Sequence, residues 1–234
     1  MNYKAVIFDL DGVICFTDKY HYLAWKKMAD GMGIYFDETI NNRLRGVSRM
    51  ESLEIILERY EKKLSQEEKK VLAEEKNKMY VEFLGQMTEK DLSSEVKKTL
   101  DTLRERGLKL AIGSSSKNAK LILERIGLID YFDAISDGTN ISKSKPNSEV
   151  FLKAAEFLHM MPDHCLVVED AKAGIEAANA GGFDSAGLGE AAESEKVTHA
   201  MNSFSDLLTI IIWQLKMIEG EDGYGFKKES FLFK

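Results

Sequence analysis

The chain has 234 residues, 44% of them hydrophobic and 30% charged, with a formal net charge of −7. The composition is that of an ordinary globular protein, and the acidic balance argues against general nucleic-acid binding, which needs a basic surface. Two cysteines, Cys15 and Cys165, suggest no disulfide framework and fit a reducing cytosol.

The first predicted element is a buried strand over 4–8, rich in apolar and β-branched residues. No signal-peptide pattern precedes it, so the expected location is cytoplasmic. Residues 15–87 carry helical patterns and no convincing strand. Two capping boxes mark helix starts there, Ser48 with Glu51 and Ser65 with Glu68. Further strands are expected over 108–112, 165–168 and 185–187, with a marginal fifth over 200–204. Helices are expected over 93–107, 116–127 and 170–182, with serine starts for the first two and glycine stops for all three. The apolar run 207–218 is too short to span a bilayer and reads as a buried helix, so no membrane partner is expected.

Strand and helix in alternation mean an α/β fold, a parallel sheet with helices on both faces. The all-helical stretch follows the first strand directly. The expected organisation is therefore a catalytic core of residues 1–14 and 88–234 and a helical cap of residues 15–87. Ligands of such sheets sit at the carboxyl ends of the strands. A cap rooted there can act as a lid.

The carboxyl ends collect a chemistry. Strand 4–8 ends in Asp9 and Asp11, followed by Gly12; strand 108–112 leads to Ser114, Ser115, Ser116, Lys117 and Asn118. The loop "ISKSKPN" brings Lys143 and Lys145, and strand 165–168 ends in Glu169 and Asp170. Four carboxylates repel unless a cation joins them. Mg²⁺ takes hard oxygen ligands and works beside phosphate. Serine hydroxyls, backbone N–H groups and a lysine suit phosphate. If the chain stays extended, Asp9 and Asp11 project the same way, roughly 6–7 Å apart. Asp9 can then attack phosphorus as a nucleophile, and Asp11 can serve as general acid and base. Taken singly these residues are commonplace: an aspartate pair can be a solvated strand end, and a lysine before proline a solvated loop residue.

Together, "DLDGVI", Ser114, Lys145 in "SKSKP" and the "ED" pair at 169–170 resemble the four motifs of the haloacid dehalogenase-like phosphotransferases. The stretches "TDKYHYLAW" (17–25), "GVSRMESL" (46–53), "EKNKMYV" (75–81) and "SSSKNA" (114–119) resemble the β-phosphoglucomutase family within them. The resemblance covers essentially the whole chain and implies a Rossmann-like core with a helical cap. It implies Asp9 as nucleophile, Asp11 as acid/base, and Ser114 and Lys145 as holders of the transferring phosphate. Mg²⁺ would be held by Asp9, the main-chain carbonyl of Asp11, Glu169 and Asp170. Arg49, Ser116, Lys117 and Asn118 would hold a second phosphate, with Ser115 in the same substrate-facing turn. Gly46, Val47, Ser48, Ser52 and Lys76 would face the sugar, and Thr17 and His21 would help place the acid/base.

The implied activity is Mg²⁺-dependent interconversion of β-D-glucose 1-phosphate and glucose 6-phosphate, with β-glucose 1,6-bisphosphate as activator and intermediate. The expected partner is a small sugar phosphate, and a monomer is expected. A hydrolase of sugar phosphates or other small phosphomonoesters is the alternative, and a sugar-phosphate sensor that has lost catalysis is a third. The chain departs from the family pattern at Phe16, Arg45, Ser115 and Ala171, none of them a nucleophile, acid/base or metal position. The tail "GYGFKKESFLFK" runs past the family's usual end.

Overall fold

The computed structural model describes residues 3–44 and 47–219, with side chains through residue 212. Six parallel strands form one sheet: β1 (Ala5–Phe8), β2 (Lys109–Gly113), β3 (Ala134–Ser136), β4 (Cys165–Glu169), β5 (Asp184–Gly187) and β6 (His199–Ala200). Their order across the sheet is β3-β2-β1-β4-β5-β6. The α/β expectation holds. Strand β3 was not expected, because three residues, "AIS", carry too short a pattern to be seen. Strand β6 is two residues long rather than a run over 200–204.

The central strand β1 is wholly buried, and its alternation divides the core. Val6 and Phe8 enter one apolar cluster with Leu110, Ile112, Leu166 and Val168. Helices α5 (Ser94–Glu105), α6 (Ala119–Arg125) and α10 (Asp206–Glu219) cover that face through residues such as Leu100, Ile122 and Leu207. Ala5 and Ile7 enter the opposite cluster, covered by α7 (Glu149–Phe157) and α8 (Lys172–Ala180). Each large apolar side chain buried this way contributes about 1.5–3 kcal/mol. A short helix, α9 (Gly189–Ala192), follows β5.

Between β1 and α5 the described residues form four α-helices, α1 (Asp18–Gly31), α2 (Glu38–Asn42), α3 (Arg49–Leu57) and α4 (Gln66–Leu84), and one 3-10 turn at Glu89–Asp91. Both expected capping boxes form, at Ser48 and Ser65. These helices enclose a separate apolar cluster of Trp25, Met28, Phe36, Ile40, Leu53 and Ile56. The inner end of α4 also reaches the sheet's cluster through Tyr80 and Leu84. Helix α6 begins later than expected, because Asn118 rather than Ser116 is its N-cap. Among the described residues no helix is long and apolar enough to cross a membrane.

Candidate active site

The sheet register brings the acids together. Phe8 pairs with Val168, and the Asp9 N–H donates to Val168 O at 2.9 Å, so Asp9 stands level with Glu169 at the end of the ladder. Oxygens of Asp9, Glu169 and Asp170 lie within 4.8 Å of one another. Asp9 and Glu169 are buried. Lys145 reaches between them: its Nζ donates to Asp9 Oδ1 at 2.5 Å and also to Glu169 Oε1. Burial works against the lysine charge, but these two carboxylates outweigh it and hold its pKa above the usual lysine value.

One lysine does not neutralise the group. Burial lifts Asp9 to about 7 despite Lys145. Burial, helped by Asp9, Glu169 and Asp11, lifts Asp170 to about 8. The Asp170 carboxylate accepts no hydrogen bond from the described residues. Gly12, at φ 89°, leaves room for it, since a Cβ there would run into that carboxylate. Crowded anionic oxygens short of positive charge are a donor set that fits Mg²⁺.

The chain does not stay extended to Asp11. Strand β1 ends at Phe8, and the Ile14 and Cys15 N–H groups close a turn on Leu10 O. The Asp11 carboxylate faces the start of α1 instead of running parallel to Asp9. Its Oδ1 accepts from the Thr17 N–H and its Oδ2 from the Thr17 hydroxyl, both at 2.7 Å. Thr17 is the N-cap of α1 but spends its hydroxyl on Asp11 rather than on the helix. The Tyr80 hydroxyl donates in turn to Thr17 Oγ1 at 3.0 Å.

Ser114 is buried just past β2, its N–H donating to Ser136 O. Its Oγ accepts from the Ser116 N–H, and Ser116 Oγ accepts from the Asn118 N–H, so the serine turn is braced from within. The Ser115 hydroxyl accepts weakly from the Lys145 N–H, at 3.4 Å. Lys117 is exposed. Lys143 is also exposed, with its N–H held by Glu149.

Across the cleft, a second group of residues converges. Arg49 and Asn118 both donate to Asn77 Oδ1, each at 2.9 Å. Lys76 Nζ lies 2.8 Å from His21 Nδ1 and above the rings of Trp25 and Tyr80. Burial, with Arg49 nearby, lowers Lys76 to about 7; burial, Lys76 and Arg49 push His21 well below its ordinary value. At neutral pH His21 is therefore the uncharged acceptor of this pair. Ser48 and Glu51 cap α3 reciprocally, Ser52 is buried, and Val47 is exposed. Gly46 and Arg45 lie outside the described residues.

Two residues escaped sequence reasoning. Asn77 and Tyr80 lie in the same quoted stretch as Lys76, but a neutral amide and a phenol carry no signal alone. Phe16 is 67% exposed. Ala171 is the N-cap of α8 without a side-chain acceptor, and Glu169 Oε2 takes up the Asp170 and Ala171 N–H groups instead.

Residues 3–182 match the model of the haloacid dehalogenase-like hydrolases. The chain is 44% identical over 189 residues to β-phosphoglucomutase of Bacillus subtilis, covering 80% of this chain and 84% of that one. It is 33% identical over 184 residues to a phosphorylated carbohydrates phosphatase of Thermotoga maritima, covering 77% and 82%. A crystal structure of β-phosphoglucomutase from Clostridium difficile superposes with a TM-score of 0.82 at 38% identity, covering 93% of this chain and 99% of that one. With motifs, topology and relatives in agreement, the chain belongs to the haloacid dehalogenase-like hydrolase family and, within it, to the β-phosphoglucomutase family.

Proposed function

We propose that this protein is a Mg²⁺-dependent mutase that interconverts β-D-glucose 1-phosphate and glucose 6-phosphate through β-glucose 1,6-bisphosphate. The observation that carries the reading is that two separate groups of phosphate-suited donors are assembled, one at Asp9 and one at Asn77. Lys145 stands against Asp9 and forms the first; Arg49 from the helical segment and Asn118, beside Lys117 in the turn after β2, meet at Asn77 and form the second. A simple phosphatase needs only the first. Residues 15–87 act as the lid and residues 1–14 and 88–234 as the core.

An Asp9 oxygen attacks phosphorus in line, forming an O–P bond as the bond to the sugar oxygen breaks. Lys145 binds the moving phosphate while keeping Asp9 oriented, and Ser114 adds a hydroxyl. Asp11, positioned by Thr17, gives its proton to the departing sugar oxygen; the reverse half-reaction returns it. The Asp9, Glu169 and Asp170 side chains, with the Asp11 carbonyl, would hold Mg²⁺, which would supply positive charge to the phosphoryl oxygens. Arg49 offers a fork for bidentate capture of the other phosphate. Lys76, Ser52, Ser48 and Val47 line the sugar side, and closure keeps water from the aspartyl-phosphate.

Phosphorus NMR tests this with Mg²⁺, β-glucose 1-phosphate and a trace of the bisphosphate. Conversion to glucose 6-phosphate with little inorganic phosphate is expected. Rapid release of inorganic phosphate would favour the hydrolase reading, which the Thermotoga relative keeps in play.

A further inference from the structure

Asn77 makes a contact that the chemistry above does not require. Its Oδ1 accepts from Arg49 Nη2, 28 residues away on α3, and from Asn118 Nδ2, 41 residues away at the start of α6, both at 2.9 Å. The amide orientations follow from the arginine. A guanidinium only donates, so the Asn77 atom facing it is the oxygen. That oxygen obliges Asn118 to present its NH₂ group rather than its carbonyl. Each donor spends one N–H on Asn77 and keeps the rest of its donors for a ligand.

The positive charge at this contact has no direct ion pair. Arg49 is partly buried; Glu74 acts on it from beyond ion-pair distance, and among the described residues no carboxylate comes closer than that. Lys117, next to Asn118, likewise has no ion-pair partner there. A neutral amide can aim these groups without neutralising them, as a carboxylate in its place would. Asn77 also joins the helical segment to the sheet: α3 and α4 belong to the former, α6 to the latter.

We propose that Asn77 is a positioning residue that sets Arg49 and Asn118 in one shared orientation, so that donors from both sides of the cleft meet the phosphate not being transferred. The proposal rests on the mutase reading. The amide type is then a specificity device: it holds the donors and leaves the positive charge to the phosphate.

The test uses two substitutions in the full chain. Asn77→Leu keeps the approximate size and removes the acceptor. The KM for β-glucose 1-phosphate and for the bisphosphate should rise about tenfold, the scale of one hydrogen bond to a charged group. The kcat should fall less than threefold. In ¹⁵N NMR of the substrate-free protein, the Asn118 side-chain amide should lose its separated, slowly exchanging N–H. Asn77→Asp keeps the acceptor and should retain that resonance, while its charge opposes the phosphate and raises KM in a salt-dependent way. An unchanged KM in Asn77→Leu, or kcat falling as far as KM rises, overturns the proposal. If the leucine variant does not fold, a wild-type KM in Asn77→Asp overturns it equally. A wild type that releases only inorganic phosphate defeats the mutase reading instead, and the Asn118 resonance then decides the positioning contact by itself.

Discussion

At the strand ends, the backbone places the charges; over them, side chains do. Asp9 and Glu169 are neighbours because β1 and β4 are hydrogen-bonded in register, and each sits one residue beyond or at the end of its strand. The helical segment has no such ladder. Its cations are set by contacts between distant helices: Lys76 against His21, Arg49 against Asn77. The two regions also carry opposite electrostatic debts. The strand ends hold more carboxylates than Lys145 can offset, whereas the lid buries cations beside neutral partners. On the proposed function, an anionic substrate with bound Mg²⁺ would relieve both imbalances at once, which would favour closure of the helical segment on it.

The sharpest way to break this comparison is Asp9→Asn. It removes the attacking oxygen's charge and should lower turnover roughly 10⁴-fold or more. Mass spectrometry of a bisphosphate-treated sample should find no phosphoryl group on residue 9. An active variant would move the nucleophile elsewhere.

The second test reads metal without reading activity. Asp9 and Asp170 have raised folded pKa values, about 7 and about 8. Between about pH 4 and 8 these two groups therefore bind more protons in the folded, metal-free protein than in the unfolded chain. Their contribution to stability should fall as pH rises through that window. Mg²⁺ at a hundred times its dissociation constant should restore about 2.7 kcal/mol. Asp170→Asn should flatten the pH dependence and remove most of the Mg²⁺ effect, followed by thermal melting.

The lid should show the opposite slope. Lys76 is 2% exposed and its folded pKa is lowered to about 7, so the unfolded chain binds more protons between pH 7 and about 10. Its contribution to stability should improve as pH rises through that window. Lys76→Met should raise the melting temperature at pH 6, with the gain shrinking toward pH 10, while sugar-phosphate turnover falls. A pH-independent difference would show that the lysine keeps its ordinary pKa, and so its charge, when the chain is folded.

The smallest effect is expected at Tyr80→Phe. It deletes one hydroxyl that donates to Thr17, at a cost of about 1 kcal/mol. Because Thr17 holds Asp11, the basic limb of the kcat profile should move, whereas a purely structural loss would leave the profile in place.

How much of this was legible follows the same division. The order of strands and helices, the carboxylates at the strand ends and the two capping boxes could be read directly, since each rests on neighbours a few residues apart. Strand β3 could not, because three residues carry no period. The turn after Asp9 was not legible from spacing, and only the family resemblance pointed to Thr17 as the residue that takes both oxygens of Asp11. Asn77 and Tyr80 stayed silent inside a stretch quoted for Lys76, since their roles come from partners 28, 41 and 63 residues away. The sequence by itself determined which groups gather where strands end, because hydrophobic alternation and chain order dictate a parallel sheet and its active edge. Only the tertiary structure decided which way those groups point and what joins the lid to the core, because such contacts depend on how separate helices meet rather than on any spacing along the chain.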